Sequence, residues 1–330
     1  MPKIVRFHQT GGPENLKLED APSAEAGPGE VKLRVHAAGL NRAESLYFHG
    51  FYMEQPKLPS RLGYEVAGVV EAVGNGVDRS WVGKKVATIP GYSQNQYGSL
   101  GEEAIVPASA LGEYPAKLSA VEGSAIWMQY LTAYGALVTA GGVKPGDFVS
   151  IPAASSSVGL AAIQMVKAEG ATAIAATRSS KKRAELLALG ADHVIATAEE
   201  DYVARVKEIT GGKGVRLTFD PVAGSFVEKL AAASANGGII FVYGLLSGEP
   251  TPFPLRSALG NALSIRGYAL FEVTRSPEAL AKAKKYVVDR LADGRFVPKI
   301  AKTFPLAQTV QAYQYLESNQ QVGKVVITVP

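Results

Sequence analysis

The sequence predicts an α/β protein of two domains, a strand-rich first part that reads as a β-barrel and a doubly wound parallel-sheet part after it. Three observations carry this. Up to about residue 115, short alternating runs are separated by Gly-rich turns. From Ser119 onward, apolar strand-like runs alternate with runs of helical period. The length of 330 residues suits two or three domains of roughly 100 to 200 residues each.

In the first part the strands are IVRFH, EVKLRVHA from Glu30 to Ala37, YEVAGVVEAV from Tyr64 to Val73, KKVATIP and EEAIVP. Alternation turns one face of each inward. GPGE at 27–30, VGNGV at 73–77 and GYSQNQYGSLG at 91–101 separate them. SAVEGSAIWMQYLTAYGALVTA, beginning at Ser119, has helical spacing and stops at Gly141-Gly142, which predicts one long helix. DFVSIPA, VGLAAIQMVKAEG, ATAIAAT, KKRAELLALG, HVIAT, DYVARVKEIT, RLTFDPV, FVEKLAAASANGG and IIFVYGLL then alternate strand and helix. That is the pattern of βαβ units with right-handed crossovers and a parallel sheet. SPEALAKAKKYVVDRLADG is a further helix, and GKVVITVP is a last strand that returns to the first domain. The boundaries so drawn are 1–122, completed by 272–330, and 123–271.

Hydrophobic residues make up 47% of the chain and charged residues 19%, a balance that excludes disorder. The chain has no Cys, which excludes disulfides, thiolate nucleophiles, zinc fingers and iron–sulfur clusters. His8, His36, His49 and His193 are scattered, with no pair on one helix face, so no metal site is expected. No run nears the roughly 18 apolar residues of a spanning helix, and the N-terminus lacks an apolar leader core. A soluble, cytoplasmic protein without a membrane partner is expected. A net charge of +4 is too mild to indicate nucleic acid.

A dinucleotide fold holds pyrophosphate at a Gly-rich turn between its first strand and the following helix. Ala154-Ser155-Ser156-Ser157-Val158-Gly159 has that context, between VSIPA and GLAAIQMVK. Ala154 and Ser156 stand where the first two glycines would be, and only Gly159 keeps its place. The small residues admit a phosphate and the hydroxyls can donate to it; the alternative is an ordinary N-capped turn. The second strand ends AATRSSKKR, with Thr177, Arg178, Ser179, Lys181 and Lys182 where an NAD site would place an Asp or Glu. Cations with hydroxyl donors suit a 2′-phosphate, so the expected cofactor is NADP(H). A solvated basic helix start is the alternative, but cations there oppose the helix dipole.

Together these features resemble the medium-chain dehydrogenase/reductase superfamily and, within it, the zinc-independent quinone oxidoreductases. The resemblance is carried by AAGLNRAESLYFHGFY at 37–52, LGYEVAGVVEAVGNGV at 62–77, LTAYGAL at 131–137 and AASSSVGLAAIQMVK at 153–167. LGADHVI at 189–195, FDPVAG at 219–224 and VGKVVITV at 322–329 extend it to nearly the whole chain. It implies a GroES-like β-barrel catalytic domain, a Rossmann-like cofactor domain and a homodimer. The catalytic-zinc ligand positions of related alcohol dehydrogenases look like Asn41, Tyr64 and Met128 here, which disfavours alkoxide chemistry on zinc. Glu65 survives from the zinc pattern and is read as structural.

The resemblance implies NADPH-dependent reduction of a quinone or an α,β-unsaturated carbonyl. Asn41, Tyr47 and Tyr52 are the expected donors to the developing oxyanion, Asn41 also touching the cofactor. Tyr52 is the expected proton donor, with water as the alternative. Thr132, Tyr243, Gly244, Phe271 and Lys324 are expected cofactor contacts beside Ser155, Ser156, Ser157, Val158, Thr177, Arg178, Ser179 and Lys182. His49 lacks a visible carboxylate partner and is left out. Two other functions stay open: an enoyl-thioester reductase docking its carrier on Lys282–Lys285, and a non-catalytic NADPH- or RNA-binding protein.

Overall fold

Alternating apolar residues build Lys3–Phe7 (β1), Leu16–Asp20 (β2), Glu30–Gly39 (β3), Ser60–Arg61 (β4), Glu65–Val73 (β5), Lys85–Thr88 (β6), Glu103–Pro107 (β7) and Leu111–Gly112 (β8). These strands belong to the first of two units in the computed structural model, which describes residues 1–330. Unit 1 is Met1–Met128, Pro277–Ala292 and Pro298–Pro330; unit 2 is Gln129–Ser276 and Asp293–Val297. β3 is the hub of unit 1. It buries Val31, Leu33, Val35 and Ala37 completely, and each of the three larger side chains contributes roughly 1.5–3 kcal/mol. One side of β3 pairs with β5 through two register shifts, and it also pairs with β7 and with the C-terminal strand Lys324–Thr328 (β16 below). That last pairing brings Lys324, far away in sequence, next to the start of the helix Arg42–His49.

Unit 2 contains Phe148–Ile151 (β9), Thr172–Thr177 (β10), His193–Ala196 (β11), Val215–Asp220 (β12), Ser234–Val242 (β13) and Ser264–Gly267 (β14). All five pairings are parallel, in the order β11-β10-β9-β12-β13-β14. The order reverses between β9 and β12, and the carboxyl ends of strands at such a switch point are where open α/β sheets bind ligands. Ile300–Pro305 (β15) and Lys324–Thr328 (β16) complete the sheet of unit 1.

Three local expectations are corrected. The helix expected over 119–140 is three pieces, Ala120–Gly123, Trp127–Ala133 and the wider π-turns of Tyr134–Ala140. A Ser119–Glu122 capping box starts a single turn at the front. Farther on, Gly135 takes a close approach, since a Cβ there would stand 2.1 Å from the Tyr268 hydroxyl oxygen. The helix read through Gly238 stops at Ala232, because Ser234 already pairs with Val215 in the sheet. β14 was not foreseen: four largely exposed residues, SIRG, carry no apolar alternation.

Candidate active site

In unit 2 the expected cofactor residues gather at strand ends. Beyond β9, the Ser156 hydroxyl caps the helix Ser157–Ala168 by accepting the Gly159 N–H at 3.0 Å, a cap that contributes about 1 kcal/mol. Gly159 packs so tightly that a Cβ would lie 2.6 Å from the Ala154 carbonyl oxygen. This keeps the helix close to the strand, the third-glycine function of the motif. Beyond β10, Lys182 donates to the Ser155 hydroxyl at 3.0 Å. Burial lowers the Lys182 pKa; Glu185 opposes this and the neighbouring Arg178 charge adds to it. Arg178 itself is exposed, and the nearby carboxylate Glu200 is engaged by Arg183 and Arg205.

Tyr243 follows β13. Its ring stacks on Phe219 with centroids 3.9 Å apart, and its hydroxyl is buried with no hydrogen-bond partner. An orphaned buried hydroxyl carries a desolvation cost of order 1–3 kcal/mol until something meets it. Asp220, at the end of β12, accepts the Val222 and Ala223 N–H groups at 2.8 and 3.1 Å and so shapes the turn of FDPVAG. Burial raises its pKa against those two bonds. Gly244 lies where a Cβ would meet the Pro221 carbonyl oxygen at 2.7 Å. Thr132 is nearly buried on its helix, and the Phe271 ring lies 5.0 Å from the Arg275 guanidinium. The hydroxyls, paired cations, helix N-terminus and orphaned phenol fit a phosphorylated dinucleotide.

In unit 1, Asn41 caps the helix Arg42–His49. Its Oδ1 accepts from Lys324 Nζ at 2.6 Å, and its Nδ2 donates to the Gly39 carbonyl at 3.0 Å and to Glu44 Oε1 at 3.1 Å. Glu44 also accepts the Asn41 and Tyr64 N–H groups and the Tyr313 hydroxyl. Burial pushes the Glu44 carboxyl up to about 7 despite those donors and the nearby Lys324 charge. Lys324 Nζ lies 2.6 Å from Glu65 Oε2, and neither side chain has any exposure. The other Glu65 oxygen accepts the Met128 N–H at 3.1 Å.

Tyr52 is half-buried on the loop after that helix, its ring edge-on to Tyr64 with centroids 6.3 Å apart. Burial raises the Tyr52 pKa; the Tyr64 hydroxyl opposes this, and the Glu44 and Glu54 charges reinforce it. The loop is braced by Glu54, which accepts from Gln94 N–H and Asn95 Nδ2, both at 3.0 Å, and from the Ser93 hydroxyl.

Four site expectations change. Tyr47 is not an available donor: its ring is fully buried and its single O–H has Ser60 Oγ at 2.7 Å and Asn95 Oδ1 at 2.8 Å as acceptors. Burial, opposed by Ser60, pushes its pKa up to about 12. Lys324 is not an accessible cofactor contact, because its ammonium is enclosed by Asn41 and Glu65. Asn41 has no N–H left for an oxyanion. His49 does have a carboxylate partner, Glu317 Oε1 at 3.0 Å, which the sequence could not place beside it.

Residues 157–301 match the zinc-binding dehydrogenase family, and 27–133 match the alcohol dehydrogenase GroES-like domain. A 2-haloacrylate reductase from a Burkholderia species is 31% identical, covering 97% of both chains. Quinone oxidoreductase 1 of Escherichia coli is 32% identical, again over 97% of both. The chain belongs to the medium-chain dehydrogenase/reductases, in their zinc-independent quinone oxidoreductase branch. The crystal structure of an E. coli quinone oxidoreductase complexed with NADPH superposes with a TM-score of 0.91 at 30% identity, covering 99% of both chains.

Membership in this branch agrees with the chemistry of Asn41, Tyr64 and Met128, an amide, a phenol and a thioether in place of thiolate and imidazole ligands. No three His, Asp or Glu side chains stand together in a way that could hold a metal ion. No helix is long and apolar enough to cross a membrane. The roles of Glu44 and Glu54 were missed from sequence. Glu44 had a signal, since Asn41-Arg42-Ala43-Glu44 is a capping-box spacing; Glu54 had none.

Proposed function

We propose that the protein is an NADPH-dependent reductase of quinones and α,β-unsaturated carbonyl compounds. The observation that carries this reading is the pair of cations Arg178 and Lys182 beside the serine turn, on a segment from Thr177 to Lys182 that contains no Asp or Glu. The names of the relatives, quinone oxidoreductase and 2-haloacrylate reductase, supply the class of acceptor. In this reading Ser155, Ser156, Ser157 and Val158, with the helix N-terminus, hold the pyrophosphate. Thr177, Arg178, Ser179 and Lys182 hold the 2′-phosphate. The Tyr243 hydroxyl gains a partner, and Thr132, Gly244 and Phe271 line the rest of the cofactor site. Bound NADPH supplies the hydride. Tyr52, protonated at neutral pH, gives the proton to the reduced substrate, and the Tyr64 hydroxyl stabilises the phenolate left behind. A homodimer in the cytoplasm belongs to the same reading; it is supported by the edge position of β14 and by Leu255 and Leu259, 57% and 75% exposed.

The basic run considered for the enoyl-thioester alternative is interspersed with acids of its own helix. Lys282 pairs with Glu278, Lys285 with Asp289, and Lys284 donates to the Leu111 carbonyl. The test is NADPH oxidation with 1,4-benzoquinone, 9,10-phenanthrenequinone and simple enones, against NADP⁺ reduction with saturated alcohols, with and without a chelator. Turnover with the conjugated acceptors alone, unchanged by chelation, is expected; faster turnover with alcohols would overturn the reading. Tyr52→Phe should lower kcat for enones more than it raises KM.

A further inference from the structure

The loop from Phe51 to Pro59 carries Tyr52 without the support of a helix or a strand. Packing holds it little, since Phe51 and Met53 are 72% and 71% exposed and Leu58 is 45% exposed. Tyr52, Glu54 and Pro56 are the half-buried residues of the loop. Such a segment keeps one conformation only where polar bonds fix it. Tyr52 needs that fixing, because the Tyr64 ring beside it is buried and cannot follow a moving hydroxyl.

Asn95, in the short helix Gln94–Tyr97, spends its whole amide on this task. Its Oδ1 accepts the Lys57 N–H at 2.6 Å and lies 2.8 Å from the Tyr47 hydroxyl. Its Nδ2 donates to the Gln55 carbonyl at 2.9 Å and to Glu54 Oε1 at 3.0 Å. A backbone N–H only donates and a carbonyl only accepts, so the neighbours dictate which way the amide points. Gln55 passes the anchor on, donating from Nε2 to the Tyr52 carbonyl at 2.9 Å. Glu54 ties the loop from the other side by accepting the Gln94 N–H and the Ser93 hydroxyl.

We propose that Asn95 and Glu54 are positioning residues that hold the Tyr52 hydroxyl at the place where its proton is given up. This rests on the reading of Tyr52 as the proton donor of the reductase described above. Proton transfer needs hydrogen-bond reach, and a displacement of about 1 Å can lower a rate about a hundredfold. A phenol on an untied loop would spend little of its time in reach. Beside burial, the Glu54 charge keeps the Tyr52 proton on, so Glu54 serves the reaction through its bonds and not through its charge.

The test compares the unaltered protein with Asn95→Ala, Asn95→Asp and the pair Asn95→Asp/Glu54→Gln, each also in a Tyr52→Phe background. Asn95→Asp sets a second carboxylate against Glu54 Oε1. Adding Glu54→Gln puts an amide back between the two positions at the original net charge, with donor and acceptor exchanged. The readouts are kcat and KM for cyclohexenone, NADPH affinity by fluorescence titration, and hydrogen exchange of peptides covering 51–59. Both single changes should lower kcat about tenfold, leave KM and NADPH affinity nearly unchanged and speed the exchange, and the pair should recover most of both losses. In the Tyr52→Phe background they should lower kcat no further, because residues acting through one group are non-additive. Full kcat in Asn95→Ala, or a second tenfold loss in the Tyr52→Phe background, would overturn the assignment. Exchange at 51–59 that is the same in every protein overturns it whatever the turnover. If the unaltered protein reduces no enone while the exchange pattern holds, the reductase reading falls and the anchoring of the loop stands.

Discussion

The two units hold charge in opposite ways. In unit 2, Arg178 is exposed and lies near the half-buried Lys182, so two like charges share one strand end. In unit 1, Lys324 and Glu65 are fully enclosed, and Glu44 accepts from Asn41, Tyr64 and Tyr313. An exposed cation can be removed at little cost to the fold and is free to meet a ligand's charge. A buried set costs several kcal/mol of desolvation to assemble and tolerates no single deletion. Changes in unit 2 should therefore appear in cofactor affinity, and changes to the buried set should appear first in stability.

The largest effect is expected from Lys324→Met alone. It strands Glu65 without its counter-charge and should lower the unfolding free energy by about 3–5 kcal/mol, read by urea denaturation. Adding Glu65→Gln should restore at least half of this. A loss below about 1 kcal/mol would show that the pair is not the buried unit described. The next effect is a pH dependence from Glu44, whose folded pKa of about 7 lies above its ordinary value of 4.5. Between those values the native state holds a proton that the unfolded chain has released, so stability falls as pH rises through the window, by up to about 3 kcal/mol. Glu44→Gln should remove that slope, and parallel stability–pH curves for the two proteins would contradict it.

The same contrast explains what could be read from the sequence. The serine turn, Arg178 and Lys182 each follow a strand within a few residues, so strand periodicity and the βα repeat were enough to locate them. The unit 1 network joins residues 259 and 283 positions apart, through Lys324 to Glu65 and to Asn41. Such contacts depend on β3 pairing with β16, and no local pattern in either strand announces that pairing. Tyr47 was misjudged for a related reason: LYFHGFY shows that tyrosines are near the site, but the acceptors that engage the hydroxyl, Ser60 and Asn95, come from other segments. β14 left no trace because a short, exposed edge strand needs no apolar alternation.

The smallest of these effects is also the most direct test of the central claim, that unit 2 selects NADPH through exposed cations. Dissociation constants for NADPH and NADH should be measured by fluorescence titration on the unaltered protein and on Arg178→Ala, with urea midpoints recorded in parallel. The account predicts that NADPH binds at least tenfold more tightly than NADH, a difference of about 1.4 kcal/mol. Arg178→Ala should erase most of that preference by weakening NADPH alone, with the urea midpoint unchanged. Equal affinity for the two cofactors in the unaltered protein, or an equal loss for both in the variant, would contradict it.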